Sequence, residues 1–147
     1  MIENKLNNIK DAISKSVTIV AVSKTKPIND ILQLYKSGHL DFGENKVQEL
    51  LFKEEKLPKD IKWHMIGHLQ RNKVKSIVPF INLIHSVDSL RLIKKIDEEA
   101  KLINNSVNIL LQVKISREVS KYGFSFAELN SFLNSSYPGQ YQNINIQ

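Results

Sequence analysis

Apolar residues recur along this chain in two alternating rhythms. Ile2, Leu6, Ile9 and Ile13 fall at steps of four, three and four, which lines one face of a helix. The run VTIVAV (17–22) follows with no polar alternation. A β-branched run of that length predicts a strand covered on both faces, as in a parallel sheet. Pro27 suits the first turn of the next helix, which carries Ile28, Ile31, Leu32 and Tyr35 and closes at Gly38. HLDFGE (39–44) predicts a short strand and turn, then NKVQELLFKEEK (45–56) a helix. IKWHMIG (61–67) is a strand and turn, QRNKVKSIV (70–78) a helix stopped by Pro79, and INLIHSV (81–87) a strand. Asp88 can cap the helix SLRLIKKIDEEAKLI (89–103), with Ile93, Ile96, Ala100 and Ile103 on one side. NILLQVKIS (108–116) is the longest strand, Ser125 with Glu128 forms a capping-box pattern for FAELNSFLN (126–134), and NINIQ (143–147) begins one more strand.

Strands alternating with helices mean βα units and a parallel sheet, so the fold class is α/β. Five such units and a sixth strand stub leave two architectures open. One is a doubly wound open sheet. The other is an eight-stranded TIM-type barrel, which needs more than about 200 residues. The chain has 147 residues, one domain over 1–147. That length alone favours the open sheet, while short, evenly spaced units also fit a barrel lacking its last strands.

Composition narrows the class further. There is no cysteine, hence no disulfide framework and no cysteine-based zinc site, which fits a reducing cytosol. The N-terminal stretch MIENKLNNIKDAISK lacks a signal-peptide apolar region, and no run approaches the roughly 18 apolar residues of a membrane helix. Export and membrane insertion are not expected. The formal net charge of +6 invites a nucleic-acid reading. Lys and Arg are nevertheless spread along the chain with Asp and Glu among them, so a basic nucleic-acid-binding module stands only as an alternative.

In parallel α/β sheets the chemistry sits in loops after the carboxyl ends of the strands. There the chain places Ser23, Lys24, Thr25 and Lys26; Gly43, Glu44 and Asn45; His64, Gly67, His68, Gln70 and Asn72; Ser86 and Asp88; and Lys114, Ser116, Ser120, Lys121, Tyr122 and Gly123. A lysine at the rim of an apolar barrel can be desolvated enough to act as an amine nucleophile, and Lys24 and Lys26 both qualify. A solvated strand-end lysine is the plainer alternative. His64 and His68 share the i, i+4 spacing of zinc-binding helices, but Met65 stands where the glutamate would be, and Gly67 breaks a helix there. Packed or hydrogen-bonding histidines are expected instead. Glu44 and Glu49 make a weak acid/base pair, and Trp63 suits the core or a cavity wall. There is no G-x-G-x-x-G, no Walker A motif and no placeable Ser-His-Asp set.

Five stretches taken together, AVSKTKP, DFGENKVQELL, KWHMIGHLQRNK, IHSVDSL and LLQVKISREVSKYGF, resemble in order and spacing the pyridoxal phosphate homeostasis proteins (the YggS/PROSC family). The resemblance covers essentially residues 17–124. It implies a fold similar to the N-terminal barrel domain of alanine racemase. It further implies pyridoxal 5′-phosphate (PLP) held as a Schiff base on Lys24, with Asn45, His64 and Gly67 lining the cofactor. No metal, no nucleic acid and no catalysis of its own are implied; a racemase or decarboxylase would need a second base that no feature supplies. PLP-dependent apoenzymes are the implied recipients, and a cytoplasmic monomer is the family expectation. Lys114 departs from the neutral polar residue, such as Asn, of many relatives, so no cofactor contact is carried over to it. Relatives also continue through Gly-Leu-Met, Gly-Met-Ser and Arg-Ile-Gly segments on strands six to eight, which resemble the phosphate and ring holders. The chain is therefore expected to be an N-terminal portion of the family fold, C-terminally incomplete and prone to self-association. A non-binding remnant of the family is the alternative.

Overall fold

The computed structural model describes residues 2–115, 122–136 and 138–147. In chain order the elements are α1 (Ile2–Ala12), β1 (Ala21–Val22), α2 (Ile28–Lys36), β2 (Asp41–Glu44), α3 (Val47–Lys56), β3 (Lys62–Met65), α4 (Val74–Ile77), β4 (Ile81–Val87), α5 (Leu90–Leu102), β5 (Val107–Leu111), α6 (Phe126–Leu133) and β6 (Ile144–Ile146). All pairings are parallel, and the order across the sheet is β1-β2-β3-β4-β5-β6.

That order decides between the two architectures. A doubly wound sheet reverses its strand order at a switch point. Here every strand neighbours the next, so right-handed crossovers put all the helices on one face. This is the winding of a (β/α) barrel, seen here as a six-stranded sheet in which β1 and β6 are the edges.

Period-two alternation separates the faces. Phe42, Trp63, Met65, Ile84, Ile109 and Ile144 point to the helices and are buried against Ile31, Leu50, Ile77, Ile93, Ile96 and Ala100. Each such side chain contributes about 1.5–3 kcal/mol by leaving water. Trp63 belongs to this core, its ring 6.2 Å from that of Phe42. The opposite face carries Asp41, Lys62, His64, His85 and Asn108 around a cavity of about 340 Å³.

β1 is shorter than the apolar run 17–22 predicts. Ala21 is in register with Phe42, so residues 17–19 precede the start of β2 and have no strand beside them. β5 likewise ends at Leu111, where Gln112 bonds back through its N–H to Val87 and Val113 bridges to Phe124. Among the described residues no helix is long and apolar enough to cross a membrane.

The caps are local chemistry. Gly38 follows α2 at φ 84°; its N–H donates to Tyr35 and that of His39 to Leu34, a Schellman closure. Ser125 and Glu128 form the expected capping box on α6. On α5 the cap is Ser89, whose Oγ accepts from the Leu92 N–H at 3.3 Å, and not Asp88. Asp88 is drawn instead to His68, at 3.2 Å. Ser89→Ala is expected to cost about 1 kcal/mol, read as a lower denaturant midpoint. Asp88→Ala should leave the helix cap intact, and an equal loss from both variants would assign the cap wrongly.

Candidate functional site

The strand ends meet at one mouth. Beyond β1, the Ser23 N–H extends the ladder by donating to Gly43 at 3.0 Å. The Ser23 side chain turns to the helix side and donates to Glu44 Oε1 at 2.6 Å. Lys24 follows as the first corner residue of the turn that begins at Ser23. Lys24 is exposed and has no side-chain hydrogen bond or ion pair among the described residues. Thr25 follows at φ 62°, a left-handed conformation that a β-branched residue adopts only when held there. Its N–H donates to Glu49 Oε1 at 2.6 Å. Lys26 closes the turn, its N–H donating to the Ser23 carbonyl at 3.0 Å.

One buried cation organises this loop. Lys53, on α3, is only 3% exposed and donates at 2.7 Å to the Ser23 carbonyl, to Glu44 Oε1 and to Glu49 Oε1. Three acceptors use all three ammonium protons. Glu44 is fully buried, and its second oxygen has no partner among the described residues. The Lys53 ammonium holds the Glu49 carboxyl below the usual carboxylate range, outweighing the opposing effect of burial, with the Thr25 N–H adding to it. Sequence reasoning missed Lys53, because a helix lysine reads as solvated. The available signal was position: it lies three residues after Leu50, on the buried face of α3, and four after Glu49.

Across the mouth, Asn45 and Gly67 touch. The Ile66 N–H donates to the Glu44 carbonyl, and a Cβ at Gly67 would stand 2.2 Å from the Asn45 carbonyl oxygen. Only glycine permits that approach. Asn45, Gln48, His68, Gln70 and Lys73 line a small cavity of about 210 Å³ beside it. The His68 ring stacks on Tyr122 with centroids 3.7 Å apart, so with Asp88 it ties together the loops after β3, β4 and β5. Gly123, at φ 133°, sits where the backbone returns against Lys114, whose N–H donates to the Phe124 carbonyl. Asn72 is exposed on the short helical turn after β3. Ser86 is buried, its Oγ without a partner among the described residues. Ser116, Ser120 and Lys121 lie outside the described residues.

His64 lies one layer deeper on the inner face, in register with Gly43. Its Nε2–H donates to Asp41 Oδ1 at 3.0 Å, and its Nδ1 shares a hydrogen bond with His85 Nε2 at 2.9 Å. Burial, and secondarily the neighbouring His64, hold His85 below the ordinary histidine value, which keeps it neutral in this chain of bonds. His64 and His68 thus face different surroundings. Among the described residues no group of three or more metal-ligating side chains is arranged around an ion.

An all-parallel sheet wound in sequence, with polar groups on its inner face, is the arrangement of a (β/α) barrel domain, and the alanine racemase N-terminal domain is of that kind. The family model for that domain, "Alanine racemase, N-terminal domain", matches residues 1–140. The chain belongs to this family and, within it, to the pyridoxal phosphate homeostasis proteins. It is 44% identical over 116 residues to the pyridoxal phosphate homeostasis protein of Synechocystis, covering 78% of this chain and 53% of that protein. It is 34% identical over 143 residues to the Escherichia coli K12 protein of the same name, covering 88% of this chain and 61% of the other. The chain thus spans about half to three fifths of the curated relatives it matches. PipY of Synechococcus elongatus, solved with PLP bound, superposes with a TM-score of 0.91 at 35% identity, over 100% of this chain and 68% of PipY. An alanine racemase of Clostridium difficile, at 16% identity and TM-score 0.76, shares the fold over 99% of this chain and 40% of its own.

Gly67→Ala is expected to destabilise the protein by about 1–3 kcal/mol, because the Asn45 backbone must move to admit the methyl. An unchanged unfolding midpoint would show that the contact is looser than described. A second expectation concerns pH. His39 and His85 are both lowered by burial from an ordinary 6.5. Below that value the unfolded chain therefore takes up protons first. Stability should be full above about pH 6.5 and fall as pH drops toward the folded-state values. The His85→Gln variant should show a flatter decline in melting temperature; an identical pH profile would exclude His85 as a contributor.

Proposed function

We propose that this chain binds PLP at the mouth of the sheet, with Lys24 as the covalent anchor, and serves intracellular PLP homeostasis without catalysis of its own. The observation carrying this reading is the placement of Lys24. Its side chain is exposed and uncommitted among the described residues, on a backbone held at both neighbouring residues. PLP supplies an aldehyde, an electrophile suited to a lysine amine. Asn45 and Gly67, in contact beside the mouth, would line the cofactor, with His64 supporting them on the neighbouring strand. A relative solved with PLP bound, matching along this whole chain, supports the choice of cofactor. The names of the curated relatives support homeostasis as the role. PLP-dependent apoenzymes in the cytoplasm are the recipients this reading implies, with the protein acting as a monomer and without nucleic acid.

Titration of the purified chain with PLP, reduction with borohydride and mapping of the modified lysine by mass spectrometry test the reading. Stoichiometric labelling at Lys24 is expected, and Lys24→Ala should abolish it. Labelling that persists at Lys26, or that scatters over surface lysines in the unaltered chain, would remove Lys24 as the anchor.

A further inference from the structure

Lys24 has no side-chain hydrogen bond or ion pair among the described residues, so its position depends on its backbone neighbours. Ser23 is held by its N–H to Gly43, by its hydroxyl to Glu44 and by its carbonyl to Lys53. Thr25 is held by one hydrogen bond to Glu49, which retains it at φ 62°. Glu49 and Lys53 are themselves paired at 2.7 Å. Among the described residues Lys26 has the turn bond back to Ser23 and no side-chain hydrogen bond or ion pair.

The composition of the network points the same way. A buried ion pair roughly breaks even against apolar residues of the same volume, so stability is a poor reason for one. This one also leaves a fully buried Glu44 oxygen unpartnered among the described residues, an added cost. What it secures is geometry: one ammonium fixes a carbonyl of the first loop, a carboxylate at the end of β2 and a carboxylate of α3 in one arrangement.

We infer that Glu49 and Lys53 are positioning residues for Lys24: through Thr25 and Ser23 they set the backbone conformation that presents the Lys24 amine, and not that of Lys26, to the cofactor. This rests on the reading of Lys24 as the PLP anchor. The nucleophile is thereby selected by backbone restraint from α3 and not by contacts to its own side chain.

Glu49→Ala is the direct test: that side chain is 25% exposed, and its loss still leaves Lys53 the Ser23 carbonyl and Glu44. Glu49→Gln keeps an acceptor for the Thr25 N–H and serves as the conservative control. Hydrogen exchange at the Thr25 amide, measured by NMR without PLP, should accelerate at least about tenfold in Glu49→Ala and much less in Glu49→Gln. The Lys24 to Lys26 ratio of borohydride-trapped PLP, read well below each variant's melting temperature, should fall about tenfold in Glu49→Ala and be largely restored in Glu49→Gln. A Thr25 amide already unprotected in the unaltered protein would overturn the inference. So would an exposed amide with an unchanged labelling ratio. If the unaltered protein shows Thr25 protection but no preference for Lys24, the anchor reading fails and the role assigned to Glu49 fails with it; the amide measurement tells these cases apart.

Discussion

The mouth of this domain depends on where one ammonium group is buried. Lys53 reaches from α3 beneath the sheet edge and spends its three protons on the Ser23 carbonyl, Glu44 and Glu49. At 3% exposure it cannot exchange those partners for water. Removing any one of them would leave a buried charge short of a bond, which is far costlier than the net gain of making it. The arrangement therefore tolerates little displacement. That matters most for β1, an edge strand of two residues with only β2 beside it. Ladder bonds alone hold such a strand loosely, and the ammonium extends its restraint to the loop that carries Lys24.

The sheet then divides its labour by side-chain period. In β2, Phe42 and Glu44 go to the helices, while Asp41 and Gly43 go inward. The helix side is dry apart from polar groups that hold elements together. The inner side carries polar groups: Asp41, His64 and His85 are linked by hydrogen bonds, and Asn108 donates to the Asn82 carbonyl. Gly43 leaves room there for Val20 and Ile66, which would lie 3.1 and 3.2 Å from a Cβ. Gly67 does the same for the backbone at the mouth, and His68 with Asp88 and Tyr122 closes the far side. A ligand at this mouth meets groups from several loops, each positioned by a strand end and not by its own conformational preference.

How much of this was legible depended on the range of the interaction. The Ser125–Glu128 box and the Gly38 closure each involve residues a few positions apart, so propensity and spacing identified them. Asp88 and Ser89 are adjacent and equally fit to cap α5; the distant His68 decided between them by engaging Asp88. Lys53 was illegible because its partners come from two strand ends, and nothing in a helix sequence marks a lysine whose charge is matched at a distance. β5 ran shorter than its apolar run because pairing needs a partner strand of equal length, which its own sequence does not record.

The sequence by itself determined the alternation of strand and helix, the residues that stand at the strand ends, and through the shared stretches the family. Those are matters of local period and of motif order. Whether the units wound one way or reversed was decided by tertiary structure alone, since both windings use the same alternation and differ only in which strands pair. The same holds for the site. Lys24, Asn45 and Gly67 stand on three successive strand ends, far apart in the chain. Asn45 and Gly67 meet because β2 and β3 are parallel neighbours in register, so that their carboxyl ends arrive at the same height.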